Sequence, residues 1–195
     1  MLKYVEITND NIEFATKIQM KIFPNESAYE HFKFTIERDL EYEKYFLVYD
    51  SDIVIGVTGL YSNEDINITN SLWLGWFGVL EEYRLKGYGK RILIDTIEMA
   101  KKLAKKYPIK YFRLYTSERD DKIAQPLYEK VMDLKEYYNN PEDINYDGTC
   151  LIYTKGLNNN KPIYWNNIFL NLREIVEEEK KSNERYKSDG GLNDK

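Results

Sequence analysis

The stretch Trp76-Phe77-Gly78-Val79-Leu80-Glu81-Glu82-Tyr83-Arg84-Leu85-Lys86-Gly87-Tyr88-Gly89-Lys90 constrains this chain more than any other. A β-rich run from Ser71 to Leu80 enters a short turn holding two glycines, and a basic amphipathic helix over residues 88–106 starts directly after it. Leu93, Ile97, Ala100 and Ala104 form one apolar stripe on that helix. A strand handing over to a helix in this way is half of a crossover, and a crossover needs a parallel neighbour in the sheet. The turn has chemistry as well. The first N–H groups of a helix lack partners and sit at the positive end of its dipole, so an anion can bind there without any side chain. Gly87 and Gly89 let the backbone approach such an anion closely. Arg84, Lys86, Lys90 and Arg91 add positive charge around it. A glycine pair before a helix, taken by itself, reads first as a tight strand-to-helix turn. The loop lacks the Gly-Lys-Ser/Thr ending of a P-loop and the third glycine of a dinucleotide fingerprint.

Charge sharpens the picture. The chain has 195 residues and a formal net charge of −5, against general nucleic-acid binding. Between Arg84 and Lys110, however, nine Lys or Arg face only two acids, Asp95 and Glu98. A basic segment in an acidic protein points to one anionic ligand at one place. Lys101, Lys102, Lys105 and Lys106 read more simply as the wet face of the helix. Cys150 is the single cysteine and His31 the single histidine. These counts exclude an intrachain disulfide and multi-Cys or His-rich metal sites, and they argue against a Ser-His-Asp triad. No metal is expected. The start, Met1-Leu2-Lys3-Tyr4-Val5-Glu6, has no apolar signal-peptide core, and no apolar run is long enough to span a bilayer. A cytoplasmic protein with no membrane partner is expected.

Periodicity supplies the remaining elements. Tyr4 to Thr8 alternates as a strand. Asn9 or Asp10 caps a helix to about Phe23, stopped by Pro24. Glu26 to about Tyr42 reads as a second helix. Tyr45–Tyr49 and Ile53–Tyr61 form a hairpin around Ser51-Asp52. Residues 62–70 are polar and turn-like. After the 88–106 helix come a strand at Tyr111–Thr116, a helix from Asp121 to about Met132, and strands at Leu134–Tyr138 and Thr149–Leu157. The order βααβββαβαββ calls for a mixed α/β (α+β) fold, with a mostly antiparallel sheet of about seven strands between helices. Asn158 to Pro162 reads as a linker. Trp165, Ile168, Phe169, Leu172, Ile175 and Val176 then recur at helical spacing, so residues 1–157 are expected as one domain and 158–195 as a docked C-terminal helix with a frayed tail. A dimerisation helix, and hence a homodimer, is the alternative.

Arg84-x-x-Gly87-x-Gly89, with a β run before it and a helix after it, resembles motif A of the GNAT superfamily of N-acetyltransferases. Asp121-x-x-Ala124-x-x-x-Tyr128-Glu129-Lys130 resembles the family's later Asn-x-x-Ala-x-x-x-Tyr-Glu-Lys block. The two blocks at this separation, and the element order over Met1 to Leu157, carry the resemblance. It implies an acetyl-CoA-dependent transfer of acetyl to an amine by direct attack in a ternary complex. The strand through Phe77, Gly78 and Val79 would splay from the strand Tyr111–Thr116 and leave a gap for pantetheine. A main-chain N–H near Val79 would polarise the thioester carbonyl, the backbone from Leu85 through Lys86, Gly87, Tyr88 and Gly89 to Lys90 would hold the pyrophosphate, and Asp121 and Ala124 would border the cofactor. Tyr128 would protonate the departing thiolate. Two positions depart from the family. Met132-Asp133-Leu134 replaces its Gly-Phe, and Asp121 puts a negative charge where it has Asn.

The amine must be neutral to attack, so a base or a water chain must take its proton. The run Ser71–Leu80 carries no acid. Glu26, Tyr29 and His31 lie where the family's first helices border the acceptor, and Glu26 is the candidate contact for a cationic small molecule or a peptide amine. As a helix N-terminal acid, Glu26 has an equally good structural explanation. A module that binds CoA without turnover is the alternative, motivated by the missing strand acid.

Overall fold

A computed structural model describes residues 1–119, 122–139 and 149–169. Its elements are β1 (Leu2–Glu6), α1 (Ile12–Ile22), α2 (Tyr29–Arg38), β2 (Lys44–Asp50), β3 (Ile53–Tyr61), α3 (Ile66–Thr69), β4 (Ser71–Leu74), β5 (Gly78–Val79), α4 (Tyr88–Leu103), β6 (Tyr111–Ser117), α5 (Gln125–Val131), β7 (Leu134–Tyr137) and β8 (Cys150–Gly156). One sheet runs β1-β2-β3-β4-β6-β8-β7, with β5 paired to β3 beyond the end of β4. The β4–β6 pair is parallel and the others are antiparallel. The mixed, mostly antiparallel α/β fold expected from the sequence is what forms.

The helices make two layers because each has one apolar stripe to bury. On one face Ile12, Ala15, Ile18 and Ile22 of α1 and Phe32 of α2 pack on Leu47 and Val57. On the other, Leu93, Ile97 and Ala100 of α4 and Tyr128 of α5 pack on Leu60, Leu72, Leu74, Phe112 and Leu114. Burying each such aliphatic side chain stabilises the fold by roughly 1.5–3 kcal/mol.

Three local differences from the sequence reading matter for the site. The run 71–80 is two strands, not one, which raises the count from about seven to eight. Leu74 pairs with Leu60, whereas Val79 pairs with Gly56, so the β4–β5 side carries one extra residue. This is a β-bulge, and Trp76 within it takes the left-handed φ of 45°. Second, α2 begins at Tyr29, not Glu26. Glu26 instead lies in the α1–α2 turn, which the fully buried Gln19 clamps: its Nε2 donates to the Glu26 carbonyl at 3.1 Å and its Oε1 accepts from Ala28 N at 2.9 Å. Helix α2 stops at Arg38 because Asp39 turns left-handed at φ 47°. Third, the polar stretch before β4 contains α3, capped by the Asp65 carboxylate accepting from Asn67 N at 2.8 Å. Of the expected C-terminal helix, residues 165–169 are described and are helical; the rest lies outside the described residues.

Candidate active site

The bulge opens the sheet. β4 and β6 stay paired from Ser71–Tyr111 to Trp73–Arg113 and then part. β5 follows β3, β6 follows β8, and a gap widens between β5 and the second half of β6. Leu80 N donates to Ile55 O at 2.9 Å, so Gly78 and Leu80 turn their polar groups to β3. Val79, one residue between them, turns its N–H and carbonyl the other way, towards the gap. Arg84 Nε fastens that carbonyl with a 3.0 Å hydrogen bond, which leaves the Val79 N–H free to meet a ligand. Gly78, expected as a cofactor contact, has its backbone committed to Val57 of β3.

The glycine turn follows from the same strand. The backbone bends at Leu85 (φ 60°) and Gly87 (φ 86°). Gly87 is the N-cap of α4, and no side chain caps it. A Cβ at Gly87 would meet nothing within 4 Å. Leu85 is 98% exposed, and Lys86 and Lys90 are also exposed. The first-turn N–H groups of Tyr88, Gly89 and Lys90 have no partner within the helix by geometry. This is a cradle fit for an anion: an uncapped positive helix end, a glycine with open space beside it, and cations at the rim. The side chains are partly engaged. Lys86 Nζ donates to the Glu82 carbonyl at 2.8 Å, and Tyr88 donates to Asp50 at 2.6 Å, a bond that raises the Tyr88 pKa. Gly89 faces inwards, where a Cβ would touch Leu127 at 3.7 Å and Phe77 and Val79 at 4.0 Å.

A cleft of about 800 Å³ passes through the gap. On the α1–α2 face it is lined by Phe23, Glu26, His31, Phe34, Arg38 and Trp76. At its depth lie Leu74, Leu114, Phe77 and Tyr128, which pack with the core on the α4–α5 face. Tyr128 is buried between Phe77 (ring centroids 6.3 Å apart) and Tyr153 (5.5 Å). Ala124 is the N-cap residue of α5, one turn before Tyr128. Asp121 lies outside the described residues. The structure therefore brings Glu26, Tyr128 and Phe77 to one cleft and puts Val79, Arg84 and the Leu85–Lys90 turn along the neighbouring strand and helix start.

The cleft also holds residues that the sequence reading missed. Glu43 is buried; its Oε1 accepts from Ser62 N at 3.0 Å and from the Ser62 hydroxyl, and its Oε2 pairs with Arg38 at 3.3 Å. Tyr45, Tyr61 and Tyr115 form an aromatic floor. Burial raises the Tyr45 and Tyr61 pKa values, and these phenols stay protonated. His31 accepts from Trp76 Nε1 through Nδ1 at 2.9 Å, so its proton sits on Nε2. Nothing in a chain with 18 tyrosines marks which ones face a cleft. Among the described residues no metal-binding cluster occurs, and no helix is long and apolar enough to cross a membrane.

The acetyltransferase (GNAT) family model matches residues 11–133. No curated protein matches the sequence. Among solved structures, the ribosomal-protein-S18-alanine N-acetyltransferase of Escherichia coli superposes with a TM-score of 0.58 at 14% identity, over 85% of this chain and 100% of that one. Arabidopsis thaliana NAA60 with a bisubstrate analogue gives 0.58 at 14%, over 82% and 100%. A spermidine N-acetyltransferase chimera from Vibrio cholerae and hSSAT gives 0.57 at 16%, over 80% and 94%. These likenesses share the fold, and the family match spans both the glycine turn and Tyr128. The matched residues include the bulged strand, the splayed part of the sheet and the uncapped helix after it, and the chain belongs to the GNAT family of acetyltransferases.

Proposed function

We propose that this protein transfers an acetyl group from acetyl-CoA to a primary amine of a small cationic molecule or a peptide, by direct attack in a ternary complex. The observation that carries the proposal is the cleft itself, which joins the α1–α2 face to Tyr128 through the gap between β5 and β6. Two substrates entering from opposite faces meet there without a covalent enzyme intermediate. That suits a chain whose single cysteine and single histidine offer no built nucleophile–base pair.

Acetyl-CoA supplies an acyl group activated as a thioester. The chain's own residues do the rest. The uncapped turn from Leu85 to Lys90 holds the diphosphate, and the wall of Phe77, Val79, Gly89 and Ala124 flanks the pantetheine arm. Val79 N–H donates to the carbonyl oxygen as negative charge develops there, an interaction worth several kcal/mol in a site shielded from water. The amine nitrogen forms its bond to the carbonyl carbon as the carbon–sulfur bond breaks. Tyr128 donates its phenolic proton to the leaving thiolate. Glu26, on the rim of the cleft, draws in the cationic acceptor and takes up its proton through water. Arg38 and Ser62 hold Glu43 too firmly for that task. Neighbours of this fold are named for spermidine and for an alanine of ribosomal protein S18, and an open aromatic cleft with one uncommitted carboxylate accommodates either.

A thiol-release assay with acetyl-CoA and a panel of polyamines, amino compounds and short peptides tests the reading. Turnover with at least one amine is expected, and Tyr128→Phe should cut the rate at saturating substrate by about 10²-fold or more. Tight acetyl-CoA binding with no turnover across the panel would instead make the protein a CoA-binding module.

A further inference from the structure

Residues 163–169 occupy the α1–α2 face of the sheet where neither α1 nor α2 reaches, over β4, β6, β8 and β7. Trp165 is 5% exposed and packs edge-on against Trp73, with ring centroids 5.1 Å apart at 86°. Trp73, 2% exposed, packs in turn against Tyr115 at 6.2 Å and 64°. Tyr115 lines the cleft described above. Three rings thus connect the C-terminal segment to the acceptor side of the site. Tyr115 pairs through its backbone with Ile152 of β8, meets the Tyr61 side chain and packs its ring against Trp73. It lies on β6 beyond the last β4 pair and is 58% exposed.

The segment is held by a dedicated pair of charges. Arg113, on β6, is fully buried. It donates to Ser71 Oγ at 3.0 Å, to Thr154 Oγ1, and to the Ile163 carbonyl at 3.1 Å, and its guanidinium lies 5.4 Å from the centre of the Trp165 ring. Burial pulls its pKa down to about 10, with Glu136 and Tyr111 acting in the opposite sense. Glu136, on edge strand β7, accepts from the backbone N–H groups of Trp165 and, at 3.2 Å, Asn166, capping the helix that starts there. Asn166 completes the joint: its Nδ2 donates to the Tyr137 carbonyl at 2.8 Å, and its Oδ1 accepts from Asn139 N at 3.0 Å, covering the open edge of β7. Trp73 Nε1 and Arg113 Nη2 are buried at this joint without a partner among the described residues. Leaving such atoms unpaired is costly, and an apolar cover would avoid the cost.

We propose that Trp165, held by Arg113 and Glu136, is a positioning residue that fixes Tyr115 through Trp73 and so shapes the acceptor half of the cleft, making residues 163–169 part of the site and not an appendage to it. The inference rests on the cleft's assignment as the acceptor site, but the position of Tyr115 can be read independently of turnover. A single fluorotyrosine placed at position 115 reports on its ring by fluorine NMR. With Trp165→Ala, the resonance should shift and broaden, and Trp165→Phe should restore most of the native line. CoA affinity by calorimetry should stay within about twofold, whereas KM for the best amine of the panel should rise several-fold at similar kcat. If Trp165→Ala does not fold, Glu136→Gln loosens the same joint and should give the same pattern. An unchanged fluorine line in a folded variant overturns the proposal, as does a loss of CoA affinity in step with the rise in acceptor KM. Wild-type protein that binds no CoA sinks the transferase reading instead, while the fluorine measurement still decides whether Trp165 sets Tyr115.

Discussion

Trp76 Nε1 donates to His31 Nδ1 at 2.9 Å, tying the bulge that opens the sheet to helix α2, which walls the cleft. The bond matters because Trp76 holds a left-handed φ of 45°, a conformation that costs a bulky residue roughly 1–2 kcal/mol. Phe23, packed edge-on at 5.6 Å, is its other support. His31 is thus a strut of the cleft wall. The lone pair on Nδ1 is already used, and Nε2 carries the proton.

Removing the strut should act on the acceptor alone. His31→Ala should raise acceptor KM about fivefold, the worth of one hydrogen bond of about 1 kcal/mol, and leave CoA affinity unchanged. Steady-state kinetics beside a CoA titration separates this from a role in proton transfer, which would lower kcat instead.

The two loop glycines should respond differently to alanine. Gly87→Ala puts a side chain at φ 86°, so it should lose about 1 kcal/mol of stability although the space beside it is open. Gly89→Ala meets only ordinary contacts with Leu127, Phe77 and Val79, so thermal stability should hold. CoA affinity should nevertheless fall about tenfold or more, because the added methyl narrows the space between α4 and β5. Equal effects of the two changes on both properties would count against the assigned path of the ligand.

Arg84 is exposed and basic, yet its Nε fastens the Val79 carbonyl. If that bond aims the Val79 N–H, charge alone cannot replace it. Arg84→Lys should then lose nearly as much kcat as Arg84→Ala. A lysine variant with wild-type kcat would assign Arg84 to bulk electrostatics.

Stability should fall steeply in alkali. Burial raises the pKa of Tyr4, Tyr45 and Tyr61 above the ordinary 10.0, with Tyr4 further raised by its 2.9 Å bond to Asp95. Above about pH 10 the unfolded chain gives up these protons and the native state keeps them, so the unfolded state binds fewer and ΔG of unfolding drops as pH rises. Urea midpoints should be level from about pH 7 to 9 and decline beyond. Tyr4→Phe should shallow that decline, and tyrosinate absorbance should lag in the folded protein.

Much of this architecture is legible in the sequence. The apolar stripe of α4 and the Ser51-Asp52 turn each express one local rule, and the fold obeys them. The Arg84–Gly89 spacing marks where the helix must start, and the structure starts it at Tyr88. The bulge is hard to place from sequence because it arises from register against β3, with Gly75 inside the β run as its one local sign. Glu43 is opaque for the same kind of reason. Its partners Arg38 and Ser62 are brought together by the α2–β2 connection and the end of β3. The roles of Trp73, Tyr115 and Trp165 depend on pairing across β4, β6 and a segment some fifty residues further on. Asp121, read as bordering the cofactor, lies outside the described residues.

A crystal structure with CoA tests the central claim most directly. The account predicts the diphosphate on the N–H groups between Leu85 and Lys90, the pantetheine arm in the gap between β5 and β6, and the sulfur within hydrogen-bond reach of the Tyr128 hydroxyl. CoA bound elsewhere, or a thiol on the far side of β5 from Tyr128, would contradict it.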